Sequence, residues 1–175
     1  MLLIKKVVFC SDIIYNSDIF KKVFAGHQFT SGGHSMIQLI AGKKGKGKTK
    51  QLLDKVNSEV KEVSGSVAYL DKSTKHMFEL NNRVRLINVC EFMIENSSEF
   101  LGFICGIISQ DRDLEKMYFD SFLTISALGE DGDLLPVIEK LEKISESCHV
   151  DFVLSVSKDE HELPESLKSK IIVSL

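Results

Sequence analysis

Apolar positions fall into two rhythms along this chain. Short apolar blocks at Ile37–Ala41 and at residues 66–70, 84–89, 117–119, 152–156 and 171–173 have the length and content of buried strands. Between them the spacing turns helical. Leu52, Leu53, Val56, Val60 and Val63 predict a helix over residues 51–63, closed by Ser64-Gly65. Leu101, Ile104 and Ile108, with Phe100, Phe103 and Ile107 beside them, predict a second, and Asn96 with Glu99 offers it a capping box. Gly102 and Gly106, four apart, allow close packing of that helix. Val137, Ile138, Leu141 and Ile144 predict a third over residues 134–147, with Pro136 in its tolerant first turn. Pro164 opens a last short helix, and residues 71–82 read as a polar helix or loop. Strands alternating with helices predict an α/β fold with a mainly parallel sheet covered on both faces.

One junction carries chemistry. The strand Ile37–Ala41 runs into Gly42-Lys43-Lys44-Gly45-Lys46-Gly47-Lys48-Thr49, and a helix follows. Gly42, four residues, then Gly47, Lys48 and Thr49 match the phosphate-binding P-loop in its required order of strand, loop and helix. A polyphosphate needs backbone N–H groups aimed at it, no side chains in the way, and positive charge. The glycines permit the approach, Lys48 reaches the β- and γ-phosphates, and the Thr49 hydroxyl ligates Mg²⁺. The expected nucleotide contacts are Gly42, Lys43, Gly45, Lys46, Gly47, Lys48, Thr49 and Lys50. The helix start behind them favours the anion.

A Mg²⁺ site also needs an acid. Asp120 is the choice, because apolar residues 117–119 precede it as in a Walker B strand; Asp111 is the second choice. Lys48 and Asp120 are thus the expected catalytic residues, and Thr49 and Asp120 the metal ligands. Ser121 follows where many ATPases carry a water-orienting glutamate, so intrinsic hydrolysis is expected to be slow. Glu130 and Asp131 are possible substitutes, Ser157 a γ-phosphate sensor, Asp71 a Mg²⁺ or substrate contact, and Arg112 a finger supplied to a neighbour.

The 175 residues suit one core, and 43% hydrophobic with 27% charged residues is ordinary for a soluble protein. The net charge of −3 gives no global attraction to nucleic acid or anionic membrane. The lysines of the loop exceed what one nucleotide needs; they read first as a solvated basic surface and second as a nucleic-acid contact. Cys10, Cys90, Cys105 and Cys148 lack metal spacing and read as reduced thiols of a cytoplasmic protein. The five histidines are scattered and suggest no ligand cluster. No apolar run reaches membrane-span length.

Residues 1–35 fit the rest badly. Ser31-Gly32-Gly33 can be encoded by a purine-rich ribosome-binding tract a short distance before Met36. The expectation is that translation starts at Met36, or that residues 1–35 form a poorly packed extension to a nucleotide-binding domain of residues 36–175.

Residues 36–175 resemble a family of small bacterial P-loop ATP-binding proteins, common in clostridia and their relatives and sometimes labelled twitching-motility ATPases. The stretches that carry the resemblance are residues 40–49, 69–76, 102–111 and 152–157. It implies a three-layer P-loop NTPase sandwich that binds ATP with Mg²⁺. A small-molecule kinase, a nucleic-acid-linked ATPase and a non-catalytic nucleotide-binding scaffold are the alternatives. The scarcity of arginines (Arg83, Arg85 and Arg112) argues against a kinase lid, and the absence of an Asn-Lys-x-Asp motif argues against a GTPase.

Overall fold

The computed structural model describes residues 37–175, so the reading of residues 1–35 lies outside the described residues. In chain order the elements are β1 (Ile37–Ala41), α1 (Lys48–Glu59), β2 (Ser66–Asp71), β3 (Val84–Asn88), α2 (Ser97–Gln110), β4 (Leu114–Phe119), α3 (Phe122–Ile125), α4 (Leu135–Cys148), β5 (Asp151–Val156), α5 (Glu165–Lys168) and β6 (Ile171–Ser174). The strands form one six-stranded sheet in the order β3-β2-β4-β5-β1-β6. Every pairing is parallel, so all the carboxyl ends of the strands lie along one edge.

The two faces of the sheet are sorted by the period of two along each strand. Ala68 and Leu70 of β2, Met117 and Phe119 of β4, and Phe152 and Leu154 of β5 pack with Phe100, Leu101 and Ile104 of α2 and Ile138 and Leu141 of α4. The alternate positions Val67, Tyr69, Tyr118 and Val153 pack on the other face against Leu52, Leu53 and Val56 of α1. This parity locates the site. Carried one step past each block, it puts Asp71, Asp120 and Ser155 on the face of α1.

The helix starts follow their sequence signals. Asn96 Oδ1 accepts from the N–H groups of Ser98 and Glu99 at the start of α2. The reciprocal arm of the box goes one residue further out, to the N–H of Glu95, which donates to Glu99 Oε2. The glycine pair in α2 is a correction: a Cβ at Gly102 or Gly106 would meet nothing within 4 Å, so the spacing serves no close packing. Helix α1 ends at Glu59, earlier than its apolar spacing predicts. Val60 and Val63 stay buried in the turn that follows.

Glu59 pins the far end of α1 to β4. It accepts from the Tyr118 hydroxyl (2.5 Å), the Lys116 ammonium (2.9 Å) and the Lys55 ammonium. Burial alone would raise this carboxyl; the hydrogen bonds from Lys55, Tyr118 and Lys116 overcome it and hold the group at about 2, below the ordinary 4.5. A depressed folded-state pKa gives stability that is present above about 4.5 and lost as pH falls towards 2. Acid denaturation should therefore lose stability across that window in the native chain and less so in Glu59→Gln. Coincident pH–stability curves for the two would remove this role.

Candidate functional site

The loop after β1 turns back on itself through glycine conformations. Gly42, Gly45 and Gly47 have φ of 147°, 87° and 91°, all in the region open to glycine. Their reasons differ. A Cβ at Gly42 would meet the carbonyl oxygen of Leu175 at 2.8 Å, so this glycine lets the C-terminal residue close over β1. At Gly45 and Gly47 a Cβ would meet nothing within 4 Å. There the glycines serve the backbone turn and leave open space above the loop.

Gly47 caps α1 without any side-chain hydrogen bond. The first N–H groups of a helix have no partner within it, so this end is open to an anion. Lys48, the first residue of α1, is 7% exposed and donates to the Lys43 carbonyl oxygen at 2.8 Å, so its ammonium curls over the loop. Burial draws this ammonium below the ordinary lysine range, with the charges of Asp120 and Asp159 opposing. The Lys43 ammonium pairs with Asp159 at 3.2 Å, and its N–H donates to the same carboxylate. That pairing moors the loop to the segment after β5. Lys44, Lys46 and Lys50 are exposed, as a solvated basic surface requires.

Thr49, one residue on, donates its hydroxyl to Asp120 Oδ2 at 2.8 Å across 71 residues of sequence. Asp120 follows β4 and is 2% exposed. Its Oδ1 accepts from the Ser121 N–H at 2.8 Å and from the Ser155 hydroxyl at 2.6 Å. The strand order explains Ser155. β5 lies between β1 and β4, so the loop and the acid are joined across a strand whose inward serine holds the carboxylate. Ser121 turns into the left-handed region, with φ of 52°, and ends β4 sharply so that α3 can begin.

Several expected residues stand elsewhere. Asp111 caps the carboxyl end of α2 and precedes β4, at the opposite edge of the sheet from the loop, so it is excluded as an alternative acid. Arg112 lies in the turn between those two elements and is exposed. Glu130 and Asp131 are exposed in the loop between α3 and α4. Ser157 lies just past β5 and is exposed. Ser155, two residues earlier on β5, is the serine that meets Asp120, and the sequence reading did not name it. Its signal was a lone hydroxyl in an otherwise apolar strand, on the parity of Tyr118 and Asp120.

The sequence also gave no hint that a histidine belongs here. Asp71 ends β2, next to β4 in the sheet, and is fully buried. Its Oδ1 accepts from the Lys72 N–H at 2.7 Å. Burial pushes this carboxyl up, the Lys72 N–H opposes, and the Asp120 charge adds to the rise. Donor atoms of Asp71, His76 and Asp120 converge within 4.8 Å of one another, which corrects the expectation of scattered histidines. Burial, with the Asp120 and Asp71 carboxylates, also pushes the Tyr69 phenol up, so it stays protonated beside them.

No protein-family model matches the chain, and a search of curated proteins finds no match. The architecture is that of an α/β protein with an all-parallel sheet. Among the described residues no helix is long and apolar enough to cross a membrane.

Proposed function

We propose that this chain is a P-loop protein that binds ATP with Mg²⁺ and hydrolyses it slowly or uses it as a conformational switch. The observation that carries the reading is the Thr49–Asp120 contact at 2.8 Å. A phosphate loop alone is a motif, whereas a hydroxyl at the helix start meeting a buried strand-end acid is the donor pair a nucleotide-bound Mg²⁺ requires. Both groups supply hard oxygen, and Asp120 is held by Ser155 and Ser121 with its second oxygen turned to Thr49. The groups fit the ion, which would neutralise phosphate charge.

The chain's own residues supply the rest. The N–H groups around Gly45, Gly47 and the start of α1 would receive the phosphate oxygens. Lys48, freed from the Lys43 carbonyl, would pair with the terminal phosphates. Slow turnover follows from Ser121, which offers no carboxylate to orient water in the position next to Asp120. ATP is preferred to GTP because the sequence carries no Asn-Lys-x-Asp guanine motif. The kinase alternative loses further ground. Arg83 donates to the Val63 carbonyl oxygen at the start of β3, and Arg112 precedes β4, both remote from the carboxyl edge.

Calorimetric titration of the full chain with ATP, GTP and ADP in Mg²⁺, followed by phosphate release on the same sample, tests the reading. The expected result is one-to-one ATP binding with turnover well below the roughly 1–10³ s⁻¹ of ordinary enzymes. Absence of triphosphate binding would overturn it, and phosphate transferred to a small acceptor instead of water would replace it with the kinase reading.

A further inference from the structure

We propose that Asp71, His76 and Asp120 form a second cation site, built for a borderline first-row divalent ion such as Mn²⁺ rather than for Mg²⁺. Three separate segments supply the donors: the end of β2, the loop after it, and the end of β4. Their ligand atoms lie within 4.8 Å of one another. Donors bound at roughly 2.0–2.2 Å around one ion stand about 3–4 Å apart, so a contraction of at most about 1–2 Å closes the set.

The hydrogen-bond pattern calls for a cation. His76 Nδ1 and Glu79 Oε1 lie 2.6 Å apart, and since a carboxylate only accepts, the shared proton sits on Nδ1. This leaves the lone pair on Nε2. Nε2 is buried and has no hydrogen-bond partner, and so is Asp71 Oδ2. Had Nε2 carried a proton, Asp71 Oδ2 would be its natural acceptor, yet the two do not meet. A buried lone pair beside two buried carboxylates is costly unless something positive lies between them. A carboxylate on the far nitrogen of a histidine is also the usual support of a metal-bound imidazole.

The donor set chooses the ion. An imidazole with carboxylates suits Mn²⁺, Fe²⁺, Co²⁺ or Zn²⁺, whereas Mg²⁺ prefers oxygen and water. An open groove of about 460 Å³, lined by Gly47, Thr49, Lys50, Asn57, His76 and Glu79, reaches the histidine of the set. The site shares Asp120 with the proposed nucleotide metal but needs no nucleotide, so either reading can fail without the other.

The test uses Mn²⁺ and the full, nucleotide-free chain. Electron paramagnetic resonance counts the bound ion, and pulsed measurement reads ¹⁴N coupling from a ligated imidazole. The expectation is one bound Mn²⁺ with nitrogen coupling that survives millimolar Mg²⁺. His76→Ala should abolish the coupling, and Asp71→Asn should weaken binding at least tenfold. Glu79→Gln should weaken it about 10–100-fold, as loss of a supporting carboxylate does. His161→Ala is the control for the more exposed grouping of Asp159, His161 and Glu162. No bound Mn²⁺, bound Mn²⁺ without nitrogen coupling, or coupling that persists in His76→Ala would overturn the proposal. Circular dichroism confirms that each variant is folded before its spectrum is counted.

Discussion

Lys48→Ala is expected to weaken MgATP binding at least about 100-fold, close to 2.7 kcal/mol, with little change in the stability of the fold. The argument is one of burial. Lys48 is 7% exposed and its ammonium is engaged by a single protein oxygen, the Lys43 carbonyl, in a loop otherwise open to solvent. A triphosphate would replace that one neutral acceptor with several anionic ones. Truncating one member of a buried charge pair typically costs about 2–5 kcal/mol of binding. The fold should not notice, because alanine is the best helix former at the first position of α1 and no carboxylate loses a partner. Lys46→Ala is the matched control: it removes an exposed lysine of the same loop and should change affinity little. Calorimetry on the three proteins decides the matter. Equal ATP affinity for native chain and Lys48→Ala would remove Lys48, and with it the site, from the nucleotide reading.

Much of this architecture was legible because strand and helix rhythms are local. The blocks at residues 66–70 and 152–156 became β2 and β5 with a shift of one residue at one end, and the block at 117–119 is the buried second half of β4, which starts three residues earlier. The place of Asp120 was legible for the same reason: it directly follows a buried apolar block. What the sequence hid is what depends on strand order. Ser155 matters only because β5 is inserted between β1 and β4. Asp71 and His76 meet Asp120 only because β2 and β4, far apart in sequence, are neighbours. Ser155 was passed over because a single serine inside an apolar strand gives no sign, without the strand order, of the carboxylate beside it. Gly102 and Gly106 misled because a small-residue spacing signals close packing only when another backbone faces it.

The same geometry ties stability to the site. Helix α1 is fastened to β4 at both ends, by Thr49 to Asp120 and by Glu59 to Tyr118 and Lys116. β4 is therefore the strand whose position the proposed chemistry depends on most. Its hold on the opposite face is aromatic. Phe119, next to Asp120, meets Phe100, Phe122 and Phe152 edge-on, with centroids 6.0, 6.0 and 5.5 Å away.

Phe119→Ala should accordingly cost about 3–5 kcal/mol, the range for removing a fully buried phenylalanine. Phe119 is 0% exposed, and its neighbours belong to α2, α3 and β5 as well as β4, so the void cannot close by moving one element. Each edge-on pair adds about 0.5–1.5 kcal/mol beyond the area buried. Against the roughly 5–15 kcal/mol that holds an ordinary domain folded, this is a large fraction. Urea denaturation should show a lower midpoint with the same slope, and Phe119→Leu should fall between variant and native chain. Addition of MgATP should raise the midpoint of the folded variant by about as much as that of the native chain, because the pairing of β4 with β2 and β5 still sets where Asp120 stands. A stability loss below about 1 kcal/mol would show that the aromatic cluster repacks around the missing ring, since a well-filled void of that size cannot be made so cheaply. A full stability loss accompanied by loss of the MgATP increment would show instead that the ring holds the geometry of the acid, and that β4 is positioned from its apolar side.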